Sequence, residues 1–270
     1  MNQSNLTRKK LLIVDGHSLA FRSFYAFNKN GEGLKNTDGL ATSVTYGFLK
    51  TLLETSKSLS PQGIIIAFDT ATPTFRHKAC SYYKANRDVA PKIFFEDTKR
   101  LEDILRHDLN ITVCKSPGFE ADDVIGTLAN RASNKDWRVV ILTGDRDLFQ
   151  LIDDKREISV LYMSGGPYSK NGKPLLTNES GVQEKLGILP IQVVDFKALT
   201  GDSSDNIPGV KGVGPKTAIK LLENNYDLDD IYLSLNNNHL NNNNINDKLR
   251  LKLISEREKA YESRQLAEIL

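Results

Sequence analysis

Glu120, Asp122 and Asp123 crowd the head of the stretch Pro117-Gly118-Phe119-Glu120-Ala121-Asp122-Asp123-Val124-Ile125-Gly126-Thr127-Leu128-Ala129. A turn opens a helix there, with Val124, Ile125, Leu128 and Ala129 forming an apolar stripe at helical spacing. One or two acids at a helix N-terminus are ordinary, because the macrodipole favours negative charge. Three so close repel one another unless a cation neutralises them. Adjacent helical residues point about 100° apart, so Asp122 and Asp123 could address two cations side by side. Helix-end electrostatics and metal binding both fit this stretch taken alone.

Other acids decide between the two by where they stand. Asp15 ends the run Lys10-Leu11-Leu12-Ile13-Val14, Asp69 ends Gln62-Gly63-Ile64-Ile65-Ile66-Ala67-Phe68, and Asp145 ends Arg138-Val139-Val140-Ile141-Leu142-Thr143-Gly144, with Asp147 close behind. Short continuous apolar runs predict buried strands, and Ile111–Cys114 and Ile158–Tyr162 add two more. Helical stretches at about 41–57, 93–108 and 119–132 separate them, and the chain at Gly16 reads as a loop. The expected fold is α/β, a central parallel sheet flanked by helices. In such sheets the binding crevice lies beyond the carboxyl ends of the strands. A single aspartate there is a common turn former. Three strand ends and one helix start delivering acids to the same edge describe a site.

From Gly181 the pattern is helices without strands, at about 192–199, 218–222 and 248–261. Between the first two lies Gly209-Val210-Lys211-Gly212-Val213-Gly214-Pro215-Lys216-Thr217. Its glycines let backbone amides approach a phosphate at a helix start, and Lys211 and Lys216 add charge. It lacks the P-loop spacing and has no preceding strand. A helical hairpin gripping a DNA backbone fits better, with a plain interhelical turn as the alternative. Asp202 and Asp205 precede it at an i,i+3 spacing that a helix would place on one face. The Asn-rich stretch 236–246 is a low-complexity surface loop. After Asp69, the segment Thr74-Phe75-Arg76-His77-Lys78 to Tyr82-Tyr83-Lys84-Ala85-Asn86-Arg87 interleaves cations with aromatics, as single-stranded nucleic acid requires. Arg22 follows the first strand in the same way.

The chain has 270 residues with 39% hydrophobic content, enough for one large α/β domain with an appendage. No apolar run approaches the roughly 20 residues of a membrane span. The first ten residues carry no secretory pattern, so a cytoplasmic setting is expected. Cys80 and Cys114 have no metal-type spacing and read as free thiols. A net charge of +2 hides a division: setting aside the nine carboxylates assigned below leaves 25 of 34 acids against 36 Lys and Arg. An acidic pocket in a basic surface suits a metal enzyme acting on a polyanion. His17 is the only histidine near a pocket motif, so the donors are oxygens, which select Mg²⁺ or Mn²⁺ over zinc. Ser203 and Ser204 have no evident base, and serine nucleophilic catalysis has no support.

Ile13-Val14-Asp15-Gly16-His17, Ala67-Phe68-Asp69, Tyr83-Lys84-Ala85-Asn86-Arg87, Gly118-Phe119-Glu120-Ala121-Asp122-Asp123, Thr143-Gly144-Asp145-Arg146-Asp147 and Gly201-Asp202-Ser203-Ser204-Asp205-Asn206-Ile207-Pro208-Gly209-Val210 follow in order along nearly the whole chain. Together they closely resemble the 5′ nuclease (flap endonuclease) family, above all the N-terminal 5′–3′ exonuclease domains of bacterial DNA polymerase I. The resemblance implies a PIN/Rossmann-like core at 1–180 with a helical arch at about 71–100, and a helix–three-turn–helix DNA-binding subdomain at 181–270. It implies a tighter Mg²⁺ on Asp15, Asp69, Glu120 and Asp122. A second would be served by Asp123, Asp145, Asp147, Asp202 and Asp205, with Mn²⁺ able to substitute.

By the same resemblance, Lys84 and Arg87 contact the scissile phosphate and Arg22 is a further basic active-site residue. Tyr83, Gly209, Lys211, Gly212, Gly214, Lys216 and Thr217 would touch DNA. In some relatives the turn binds K⁺ through carbonyls; the matching positions are Leu199, Thr200, Pro208, Val210 and Val213. The expected substrate is DNA with a 5′ end or flap and a downstream duplex, cleaved by a monomer in a bacterial, nucleoid-associated setting. A DNA polymerase is the expected partner, whether the chain stands alone or is one domain of a longer protein. Two rivals are a non-catalytic DNA-structure-binding module and a PIN-type ribonuclease, which would need neither the glycine-rich turn nor the arch.

Overall fold

The structure, a computed structural model, describes residues 8–28, 31, 33–163, 174–224, 227–236 and 246–270. Most of the Asn-rich stretch, 237–245, lies outside them. The chain forms two compact units, one of residues 1–73 and 89–178, the other of 74–88 and 179–270.

In the first unit, β1 (Lys10–Asp15) leads into α1 (Gly16–Phe27), then α2 (Ser43–Leu59) and β2 (Gly63–Ala67). After the excursion through the second unit, which carries α3 (Phe75–Ala79), come α4 (Lys92–Asp103) and β3 (Thr112–Cys114). A π-helical turn, Ile104–Asp108, extends α4. Then follow α5 (Ala121–Ser133), β4 (Arg138–Thr143), β5 (Ile158–Tyr162) and β6 (Leu175–Thr177). The sheet order is β3-β2-β1-β4-β5-β6. All five strands expected from the apolar runs are present and parallel. A sixth strand, β6, adds three residues that pair antiparallel to β5 along the edge.

Alternation along β1 explains the layering. Leu12 and Val14 join Val140 and Leu142 in a core with Leu19, Phe48, Phe68, Phe94 and Leu101, contributed by α1, α2 and α4 and the end of β2. Ile13 and Ile141 take the opposite face, on the side covered by α5 with its buried Ile125 and Ala129. Phe48, Phe68 and Phe94 are fully buried, and truncating any one to alanine costs about 3–5 kcal/mol on the usual scale. A buried carboxylate couples two helices of this layer: Asp97 on α4 accepts from Val44 N at 2.7 Å and Thr45 Oγ1 at 2.6 Å, capping α2.

The loop expected at Gly16 is instead a helix. Asp15 serves as its N-cap, with Oδ1 accepting from Ser18 N at 3.0 Å. The side chain that ends the strand also begins the helix, and Gly16 leaves no gap between them.

The second unit is helical: α6 (Glu179–Leu186), α7 (Val193–Thr200), α8 (Pro215–Asn224), α9 (Leu228–Asn236), α10 (Asp247–Ser255) and α11 (Arg257–Ala267). The single charged helix expected at 248–261 is two helices broken at Glu256. Residues 74–88, read as part of an arch on the sheet domain, group with these helices. Buried Arg76 explains this, since its guanidinium donates to the carbonyls of Leu266, at 3.0 Å, and Glu268 at the end of α11. Cys80 and Tyr83 pack with Ile207, Leu266 and Ala267. No helix among the described residues is long and apolar enough to cross a membrane.

Candidate metal centre and nucleic-acid-binding turns

Strand order reverses direction at β1, whose neighbours are β2 and β4. The crevice beyond a parallel sheet opens at such a switch point, and the chain delivers its acids there. Asp15 pairs in register with Ala67, two residues before Asp69. Val14 pairs with Leu142, which sets Thr143 beside Asp15. Thr143 Oγ1 donates to Asp15 Oδ2 at 2.7 Å and accepts from Asp145 N at 2.9 Å, so one buried hydroxyl ties two of these acids together.

Backbone amides fix the remaining carboxylates. Asp69 Oδ1 accepts from Ala121 N at 2.7 Å, joining the β2 end to the start of α5. Asp145 Oδ1 accepts from Asp147 N at 2.9 Å. Asp123 Oδ2 accepts from Glu120 N at 3.0 Å, so Asp123 does the helix-end work that the crowded acids at first suggested. Asp123 and Glu120 are buried, whereas Asp122 is half-buried. The structure thus separates two neighbours that the sequence presents as a pair.

Asp15 is the electrostatic focus. Burial pushes its carboxyl up to about 6, against the hydrogen bonds from Thr143 and Ser18, and the nearby charges of Asp145 and Asp69 push the same way. A carboxylate destabilised by burial and by two other carboxylates is a site that a hard divalent cation would relieve. All donors are oxygens, so the set fits Mg²⁺ or Mn²⁺ by its chemistry. Among the described residues no three of His, Cys, Asp and Glu are closed into a metal-holding group. Asp15, Asp69, Asp123 and Asp145 each accept a hydrogen bond from a backbone amide.

Three residues of this site had no role assigned from sequence. His17 Nδ1 lies 3.0 Å from the Asp69 amide nitrogen and 3.1 Å from its Oδ2, with the ring edge-on to Phe68. Ser18 Oγ accepts from Gly144 N at 2.9 Å, joining the ends of β1 and β4. Thr143 is the third, and its only sequence signal is a β-branched hydroxyl one position before a Gly-Asp. Thr143→Val keeps the shape but deletes both of its hydrogen bonds. We expect it to lower stability by about 1–3 kcal/mol, read by chemical denaturation. Arg22 is half-buried, and its guanidinium reaches the Met163 carbonyl at 3.4 Å. Burial pulls its pKa down from the usual arginine value.

The second unit carries the other predicted site residues. Asp202 and Asp205 do not share a helical face: they sit in a turn after α7, closed by an Asp202–Ile207 bridge. Asp202 Oδ2 pairs with Lys197 Nζ at 2.5 Å and Oδ1 accepts from Ser204 N at 2.8 Å. Burial opposes ionisation of Asp202, but the Lys197 charge and these hydrogen bonds outweigh it and bring the carboxyl down to about 2. Asp205 faces Lys84 and Arg87 instead, with Arg87 Nη2 2.5 Å from Oδ1 and Lys84 Nζ 3.7 Å from Oδ2. Tyr83, chosen for a DNA contact, is buried with its hydroxyl 3.4 Å from Asp205 Oδ2. Its ring is not available to a base in this arrangement; Tyr82 is the exposed neighbour.

The glycine-rich turn joins α7 to α8. Gly209 holds a φ of +61°, and a Cβ there would fall 2.1 Å from Gly201 N, so two backbone segments touch where no side chain fits. Lys211, Gly212, Gly214 and Lys216 are exposed and Thr217 half-buried at the start of α8. Of the five carbonyl positions matched to K⁺, Leu199 accepts from Val210 N and Val210 from Val213 N. Thr200 ends α7, and Pro208 precedes Gly209.

The chain thus joins a mostly parallel sheet, with buried carboxylates at its switch point, to a helical unit that carries a glycine-rich turn. Residues 10–187 match the family described as 5′–3′ exonuclease, N-terminal resolvase-like domain, and residues 188–270 match 5′–3′ exonuclease, C-terminal SAM fold. The chain belongs to the 5′–3′ exonuclease family. It is 45% identical over 261 residues to DNA polymerase I of Synechocystis sp., covering 96% of this chain and 26% of that protein. It is 44% identical over 217 residues to the thermostable DNA polymerase I of Thermus filiformis, covering 79% of this chain and 24% of that protein. The chain therefore spans about a quarter of the length of these relatives.

Solved structures share the fold. T5 5′-exonuclease with bound divalent metal ions (zinc) superposes with a TM-score of 0.76 at 22% identity, over 97% of this chain and 90% of that one. The catalytic core of Rad2 in complex with DNA substrate gives 0.56 at 18% identity, over 93% and 74%.

Proposed function

We propose that this chain is a structure-specific, divalent-metal-dependent 5′–3′ exonuclease and flap endonuclease that hydrolyses DNA phosphodiesters in replication and repair. The observation that carries it is the buried Asp15 carboxylate beside Asp69 and Asp145 at the switch-point crevice. Asp15, Asp69, Glu120 and Asp122 are assigned to a tighter Mg²⁺, and Asp123, Asp145 and Asp147 to a second. Two bound Mg²⁺ ions, or Mn²⁺ in their place, would supply an activated water and stabilise charge on the leaving 3′ oxygen. The bound divalent ions of T5 5′-exonuclease and the DNA substrate held by the Rad2 core support this reading.

The chain's own residues do the rest. Backbone amides and Thr143 hold the carboxylates in their orientations, and His17 steadies Asp69. Lys84 and Arg87 would neutralise charge on the phosphoryl oxygens, and Arg22 adds a third cation. Lys211, Lys216, Thr217 and the amides around Gly209, Gly212 and Gly214 would grip the downstream duplex. The carbonyls of Leu199, Thr200, Pro208, Val210 and Val213 are the proposed K⁺ ligands. The fusion of the matched region to a polymerase in its relatives supports a DNA polymerase partner. The chain would act as a monomer.

Asp202 and Asp205 are expected to serve the second cation only after leaving the cations that hold them now. Asp202→Ala is accordingly expected to slow cleavage less than loss of a first-group acid, with rescue at higher Mg²⁺; equal, unrescued loss would contradict the assignment. Substrate class is tested by giving the intact protein 5′-flapped duplex DNA and single-stranded RNA side by side. Preferential cutting near the flap junction is expected, and preferential cutting of RNA would favour the ribonuclease reading.

A further inference from the structure

The turn at 82–87 is bound to the turn at 203–206 by more than the two ion pairs. Lys84 N donates to the Asp205 carbonyl at 2.9 Å, Asn86 Nδ2 to the Ser203 carbonyl at 2.8 Å, and Asn206 Nδ2 to the Tyr82 carbonyl at 2.7 Å. Lys84 and Asn206 both have left-handed backbones, with φ of +55° and +57°. That conformation is unfavourable for residues with a Cβ and persists where surrounding contacts impose it. Asp205 is buried at the centre, with Arg87 on one carboxylate oxygen and Lys84 and Tyr83 on the other.

We propose that Asp205 is the positioning residue for Lys84 and Arg87: it holds these cations in place as a resident anion, and the phosphate of the substrate takes them over. This rests on the reading of Lys84 and Arg87 as phosphate-binding groups. A carboxylate and a phosphate oxygen compete for the same guanidinium and ammonium donors. Binding of DNA is then an exchange of one anion for another, and it releases Asp205 for any further role at the same moment.

The test is made in EDTA, so that no divalent cation links Asp205 to the DNA, and tryptic cleavage in the absence of DNA is the readout that charge repulsion alone would not move. Asp205→Asn is expected to speed tryptic cleavage after Lys84 and Arg87 by about tenfold, because proteolysis tracks local opening. It should also tighten binding of a 5′-flapped duplex about threefold to tenfold, with a salt slope steeper by about one. A merely structural aspartate would weaken DNA binding when replaced. Unchanged proteolysis together with unchanged or weaker binding would overturn the proposal. Should Asp205→Asn unfold, Arg87→Gln in the otherwise native chain is read by tryptic cleavage after Lys84; acceleration supports the latch and an unchanged rate overturns it. Lys84→Ala with Arg87→Ala separates the two readings. If this double variant binds and cuts DNA like the wild type, the phosphate reading fails and takes the proposal with it. If it loses both while Asp205→Asn behaves like the wild type, only the positioning role fails.

Discussion

Asp122→Ala is expected to abolish DNA cleavage while leaving the fold and flap binding largely unchanged. Asp122 stands in the first turn of α5, half-buried, next to a neighbour that is committed to the backbone. Asp123 accepts from the Glu120 amide and is buried, so its removal should cost about 1 kcal/mol of stability as a lost cap. Asp122 is the proposed ligand of the tighter cation. Losing a metal ligand removes several kcal/mol of transition-state stabilisation, hence a fall of about a thousandfold or more in single-turnover rate. Thermal melting and flap binding in EDTA supply the controls. An unfolded Asp122→Ala protein would return the residue to a structural role.

The second large effect has opposite signs for stability and activity. Asp15→Asn should stabilise the metal-free protein at pH 7.5 and eliminate cleavage. The folded pKa of Asp15 is raised from 3.8 to about 6. The folded state thus holds this proton more tightly than the unfolded chain. The resulting stability is fully present below about pH 4 and is lost as pH rises through about 6. Above that, the ionised group costs on the order of 3 kcal/mol, at about 1.4 kcal/mol per pKa unit. Asparagine is neutral and nearly isosteric, and its amide oxygen can still accept from Ser18 N to cap α1. The expected rise in melting temperature is about 5–10 °C at pH 7.5, vanishing near pH 3.5. Mg²⁺ should stabilise the wild type at pH 7.5 far more than the variant. Equal melting of the two proteins at both pH values would remove Asp15 as the destabilised centre.

How much of this could be read in advance follows from which signals are local. The five parallel strands were legible because a strand covered on both faces is written as an unbroken apolar run. The acids at their ends were legible because the run stops where the crevice begins. β6 was not, since Leu175-Leu176-Thr177 is too short to stand out and owes its existence to pairing with β5. α1 was missed because an Asp-Gly reads as a turn, although the same aspartate is a good helix cap. The i,i+3 spacing of Asp202 and Asp205 assumed a helix where an Asx-type turn prevails. The regrouping of 74–88 depends on Arg76 meeting carbonyls about 190 positions away, and no local pattern announces that. Thr143 and His17 were hidden for a related reason. Their importance lies in which carboxylate they touch, and that is set by strand register.

The sheet edge around Asp15, Asp69 and Glu120–Asp123 is proposed as a divalent-metal centre for phosphodiester hydrolysis. Single-turnover cleavage of an end-labelled 5′-flapped duplex by the intact protein, followed as Mg²⁺ is titrated from an EDTA-treated start, tests it most directly. The account predicts no cleavage in EDTA, activity that rises and saturates with Mg²⁺, and a flat line for Asp122→Ala. Cleavage that persists undiminished in EDTA, or no cleavage at any Mg²⁺ concentration, would contradict it.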